Sequence, residues 1–122
     1  MIYVKINENL YPATISGRVT DKDWNNRASK TITLEMDYTA AVSLFVDGLV
    51  WSIIRQEEVP TYEQNENGEL IQTGTEIKET EWNNSEYDIA GSITDNRNGT
   101  LSIKMGKITD TEALAELMEA LS

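Results

Sequence analysis

Apolar and polar residues alternate at the start of the chain, with Ile2, Val4 and Ile6 set against Tyr3 and Lys5. A period of two predicts a half-buried strand. The polar turn Asn7-Glu8-Asn9 leads to a second strand over residues 10–20, where Pro12 lacks a ladder donor and marks an edge or a bulge. Residues 21–30 read as a polar loop centred on Trp24, and Thr31–Met36 then alternates again, with Ile32, Leu34 and Met36 on one face. At Asp37 the period changes. Ala41, Val42, Phe45, Val46 and Leu49 recur at helical spacing, with Asp37 as N-cap and Gly48 as the stop. Residues 49–59 are rich in β-formers and predict a strand, and residues 86–94 and 100–107 predict a hairpin. An amphipathic helix ends the chain: Thr109 and Glu112 have capping-box spacing, and Leu114, Leu117, Met118 and Leu121 share one face.

Residues 55–82 differ from the rest. Eight glutamates stand against Arg55 and Lys78, a net −6 within a chain whose total is −11. Asn67-Gly68 is a strong hairpin signal, because both central positions of a type I′ turn require positive φ. The segment reads either as a projecting acidic β-arm over about 55–82 or as a disordered loop, since thin hydrophobicity with high charge favours disorder. The remainder fits one domain, and 122 residues suffice for a core without staples.

The two ends of the chain resemble each other. Residues 15–21 (Ile-Ser-Gly-Arg-Val-Thr-Asp) match residues 89–95 (Ile-Ala-Gly-Ser-Ile-Thr-Asp), and Thr31–Met36 matches Thr100–Met105 in its alternate apolar positions. The two helices align as well. Each unit reads strand, loop, strand, helix, and neither can bury its apolar face alone. The expected fold is therefore α+β: an antiparallel sheet with two amphipathic helices on one face, built from two pseudo-symmetric units plus the arm.

Charge and composition narrow the function. The chain has no cysteine and no histidine, which excludes disulfides, thiolate nucleophiles and His-based catalytic or metal constellations. A net charge of −11 repels phosphate backbones and anionic lipid, so neither nucleic acid nor membrane is an expected partner. No apolar run approaches the length of a membrane span, and the first residues lack the pattern of a secretory signal. No cofactor is expected, and the chain is not read as an enzyme: its glutamates lie mainly on an exposed arm, where nothing separates their pKa values.

Two motifs carry candidate chemistry. Asp21, Asp23 and Asn25 have the spacing that opens a calcium loop, although Asn26 and Ile32 stand where that loop needs glycine and glutamate. Asp and Asn at such spacing also build turns with their own backbone. Trp-Asn-Asn occurs at Trp24 and again at Trp82, where the indoles could stack on a sugar, anchor a protein, or fold back over the sheet. The candidate partner-binding residues are Trp24, Tyr62, Glu63, Glu66, Glu69 and Trp82.

Several stretches together carry a family resemblance: Met1–Ile6, Ser16-Gly17, Thr20-Asp21-Lys22-Asp23-Trp24, Asn84-Ser85-Glu86-Tyr87, residues 90–95, Arg97-Asn98-Gly99-Thr100 and Lys104-Met105-Gly106-Lys107. The chain resembles a family of small uncharacterised proteins encoded near tail genes in phages and prophages of Gram-positive gut bacteria. The resemblance implies a virion structural or assembly role, with other phage proteins or a second copy as partners, in the virion or the host cytoplasm. It carries no catalytic residues. The alternative from the residues alone is a small-ligand module that binds sugar or calcium at the Trp-Asn-Asn loops.

Overall fold

The computed structural model describes residues 1–121. Its elements are β1 (Ile2–Ile6), β2 (Asn9–Asp21), β3 (Arg27–Leu34), α1 (Tyr38–Leu44), β4 (Ser52–Gln64), β5 (Leu70–Asn83), β6 (Ile89–Asp95), β7 (Leu101–Gly106) and α2 (Asp110–Ala120). All strand pairings are antiparallel, in the order β5-β4-β1-β2-β3-β7-β6. The class is α+β, dominated by the sheet.

Strand β2 joins the two halves of that sheet. Its residues 9–12 pair with β1, and from Ala13 onward it pairs with β3. Pro12 stands at the hand-over, where one ladder ends and the next begins. The core lies on one face: Val4 and Ile6 from β1, Ile32 and Leu34 from β3, and Leu101, Ile103 and Met105 from β7. Ala41 and Phe45 of the α1 segment and the indole of Trp51 close it.

Helix α1 starts where the sequence predicts, with the Asp37 side chain accepting from the Ala40 N–H. It ends early, at Phe45 rather than before Gly48. Tertiary bonds replace the missing turn, because the Asp47 carboxylate accepts from the Ala90 N–H and the Gly48 N–H donates to the Asp88 carbonyl. Val42 and Val46 are consequently left exposed instead of packed.

The polar loop is also shorter than expected, because β3 begins at Arg27. The acidic segment forms a β4–β5 ribbon whose rungs run from Ser52↔Asn83 to Gln64↔Leu70. Its tip is a five-residue loop over 65–69, which corrects the expected two-residue type I′ turn. Only Gly68 takes positive φ there, and the Asn65 side chain accepts from the Asn67 and Glu69 N–H groups to hold the wider loop.

The largest departure concerns α2. Its capping box forms as predicted, Thr109 accepting from the Glu112 N–H and Glu112 accepting from the Thr109 N–H. Yet α2 buries none of its residues. Leu114, Leu117, Met118 and Leu121 stand exposed, so the expectation that both helices cover the sheet is corrected. Among the described residues, the α1 segment and Trp51 supply that cover.

Both proposed units run strand, strand, helix, and β3 lies beside β7. Their registers differ from the sequence alignment. Asp21↔Arg27 and Asp95↔Leu101 are the first rungs of the two hairpins, which sets Arg27 against Leu101 rather than Thr31 against Thr100.

Candidate functional site

Opposite the core face, a polar cluster ties the β2–β3 loop to β7 and α2. Asp21 is fully buried, and its carboxylate accepts from Lys104 Nζ at 2.8 Å, Ser29 Oγ at 3.0 Å and the Asp23 N–H at 3.1 Å. The Lys104 ammonium, followed by the Ser29 and Asp23 donors, holds this carboxyl below its ordinary pKa against the opposing cost of burial. The spacing read as a calcium loop thus builds a turn and an internal ion pair. Asp23 and Asn25 remain exposed, and Asn25 and Asn26 take positive φ to close the loop. Among the described residues no group of three His, Cys, Asp or Glu side chains converges as a metal site would require.

Arg27 is the centre of the second half of this cluster. Nearly buried, it donates from Nη1 and Nη2 to the two carboxylate oxygens of Glu112 at 2.8 and 2.9 Å, and from Nη1 to the Lys107 carbonyl. Its guanidinium lies 5.0 Å from the Trp24 ring centroid. The Arg27 fork, then the Thr109 N–H, lowers Glu112 to a pKa of about 2. One residue therefore caps α2 and latches it to the sheet.

Trp24 folds back over the sheet as part of this assembly. A Cβ placed on Gly91 would lie 2.7 Å from its ring and 2.9 Å from the Lys104 carbonyl, and one on Gly106 would lie 2.7 Å from both the ring and Arg27. Both strands need glycine because the indole rests directly on their backbone. Gly91→Ala is expected to cost roughly 1–3 kcal/mol by overpacking, seen as a lower midpoint in urea denaturation. An unchanged midpoint would show that the indole is not seated there.

Trp82 behaves differently. It lies on β5 opposite Ile53 and is 46% exposed, while the neighbouring Asn84 is buried and accepts from Lys30 Nζ. The repeated Trp-Asn-Asn motif therefore yields one seated indole and one free one.

The other predicted partner-binding residues share the β4–β5 ribbon. Past Gln56, which exchanges hydrogen bonds with Met1, β4 pairs among the described residues with β5 alone and the ribbon leaves the body. Tyr62 and Glu63 lie near its end, and Glu66 and Glu69 lie in the tip loop. All fourteen residues of β5 are exposed, including Leu70, Ile71 and Ile77. Trp24 is remote in role from this group, being part of the polar cluster instead.

An open apolar groove of about 830 Å³ lies where β2 changes partner, lined by Ile2, Pro12, Ala13, Ile15, Leu34 and Glu35 among others. Glu35 is the one titratable side chain among its lining residues.

Comparison with protein-family models, with curated proteins and with solved structures found no match. Among the described residues no helix is long and apolar enough to cross a membrane.

Sequence reasoning missed the Arg27–Glu112 latch, because nothing local links two residues so far apart. It also missed the exposed face of α2. The apolar stripe was legible, but a stripe signals a surface to be covered and does not say by what.

Proposed function

We propose that this chain is a non-enzymatic structural or assembly protein that works by contact with other protein chains. One observation carries the reading: large apolar side chains stand exposed on both elements that leave the body. Tyr62, Leu70, Ile71, Ile77 and Trp82 do so on the ribbon, and Leu114, Leu117, Met118 and Leu121 do so on α2. The four on α2 fall at helical spacing on one face, and exposed apolar surface of this kind marks interaction sites.

The resemblance to phage and prophage proteins encoded near tail genes gives the proposal its specific form. The partners are tail-associated proteins or further copies of this chain, met in the virion or in the host cytoplasm. The duplication of a strand–strand–helix unit belongs to the same reading, supported by the shared element order and opposed by the shifted register. The alternative sugar or calcium module is left with Trp82 alone, since Trp24 is seated and Asp21 is paired internally.

Light scattering on the full chain, alone and mixed with the products of neighbouring genes, tests the proposal. Deleting residues 62–75 with a short glycine joint is expected to leave the domain folded, because the deleted side chains contribute nothing to the core. The deletion, or Leu114→Asp with Leu117→Asp on α2, should abolish assembly. If the wild-type chain forms no complex under any of these conditions, or if both variants assemble as it does, the reading fails.

A further inference from the structure

We propose that β5 receives an extended, positively charged segment of another polypeptide, which adds to the sheet as a further antiparallel strand. This rests on the assembly reading and narrows it to one edge and one partner chemistry. β5 is the terminal strand of the sheet, paired on one side only, with β4.

The direction of its free backbone groups follows from the register. The Gln56 N–H donates to the Met1 carbonyl at 2.9 Å, and the Met1 amine donates to the Gln56 carbonyl at 2.8 Å. Gln56 therefore turns both peptide groups toward β1 and away from β5. Its partner across the ribbon is Glu79, so that rung exchanges no hydrogen bonds and Glu79 turns its own N–H and C=O outward. The alternation extends this to Thr75, Ile77 and Glu81. These are the unpaired groups that strand addition uses.

The ribbon's other edge is blocked. Beyond Gln56 the outward positions of β4 are Glu58 and Pro60, and proline has no donor to offer. β5 contains no proline.

Side chains at the outward positions define the partner. Ile77, Glu79 and Glu81 share a face of the ribbon with Glu58, which stands opposite Ile77. Glu58 has no ion pair or hydrogen bond among the described residues. Glu79 accepts only from the Gln56 amide at 3.3 Å, and Glu81 accepts from Lys5 at 3.4 Å and Ser52 Oγ at 3.3 Å. An added antiparallel strand would place alternate residues opposite Glu81, Glu79 and Ile77 in turn. Charge complementarity calls for Lys or Arg at the first two and an aliphatic residue at the third. A second copy fits less well. Self-pairing about Ile77 would set Glu76 against Lys78 of the other copy, but it lays two arms of net −6 together in chains of net −11.

The test uses the full isotope-labelled chain and a short peptide carrying lysine, lysine and valine at alternate positions, with threonine between. The counterpart peptide has glutamate for lysine. Amide exchange is expected to slow at Ile77, Glu79 and Glu81, but not further at Lys78 and Thr80, whose groups already face β4. Affinity should fall about tenfold as salt rises from roughly 50 to 300 mM. Glu79→Lys with Glu81→Lys should weaken binding at least as much while leaving the amides of β3, β6 and β7, remote from the Lys5 and Ser52 partners of Glu81, unshifted. Equal binding of the glutamate peptide, or protection elsewhere in the chain, would overturn the inference. So would slowed exchange at these amides in a peptide-free dimer, which would make the second copy the occupant. A lysine peptide that fails to bind, while the ribbon deletion still abolishes assembly, removes this partner chemistry and leaves the assembly reading standing.

Discussion

Replacing Trp51 with alanine is expected to destabilise the protein by about 3–5 kcal/mol, the usual cost of emptying a buried indole site. Trp51 is 1% exposed and is the largest side chain of the core. It also holds the chain together across a long sequence separation. Its Nε1–H donates to the Tyr87 carbonyl at 3.0 Å, its backbone N–H to Ser85 Oγ, and its carbonyl accepts from the Asn84 N–H. These bonds fasten the start of β4 to the segment that leads into β6. Small domains have only about 5–15 kcal/mol of stability, so the variant should melt at a far lower temperature or fail to fold at 37 °C. Urea denaturation measures the loss, and Trp82→Ala serves as the control. The control indole sits on the exposed ribbon and should change the midpoint little. Comparable losses in the two variants would mean that Trp51 does not anchor the core.

Acid is expected to undo the polar cluster before it reaches the core. Asp21 and Glu112 both have folded pKa values below their ordinary ones, 3.8 and 4.5, Glu112 falling to about 2. A lowered carboxyl pKa means that the unfolded chain binds more protons than the folded one in that window. The stability these groups provide is therefore complete above the unfolded values and is lost as the pH falls through 4 toward 2. Protonating Glu112 breaks its bidentate pair with Arg27 and frees α2. Protonating Asp21 leaves Lys104 without its buried partner.

The decisive measurement is therefore a comparison of melting temperature against pH. Glu112→Gln and Asp21→Asn should each be less stable than the wild type at pH 7, and the difference should shrink below pH 3. Parallel curves for wild type and variants would show that neither group is coupled to folding. α2 offers a second readout, because helicity lost between pH 4 and 2 in the wild type should already be reduced at pH 7 in Glu112→Gln.

Local chemistry in the sequence determined most of the elements. The alternation at Ile2, Val4 and Ile6 and at Ile32 and Leu34 specified strands and their buried faces, because a period of two leaves only one way to face a core. Asp37 and the Thr109–Glu112 pair specified helix starts, because a cap is satisfied by residues within one turn. The acidic segment was legible as distinct from the rest, but its charge left arm and disordered loop open, and the β4–β5 pairing decided for the arm.

Everything that depended on distant partners was decided by the tertiary structure. The stripe on α2 is the same kind of pattern as the one on α1, yet Phe45 is buried and Leu117 is exposed. The β7–α2 junction holds α2 by its first turn, through Arg27, and carries it away from the sheet. Asp21 and Asn25 had the spacing of cation ligands, but Lys104 reaches Asp21 from another strand and supplies the cation itself. The two Trp-Asn-Asn motifs are identical in sequence and differ in environment, because Gly91 and Gly106 open a seat for one indole while Trp82 sits on a ribbon with nothing beyond it. Local sequence sets what a segment can form. The packing of strands brought together from opposite ends of the chain sets which of its surfaces are covered and which are left for a partner.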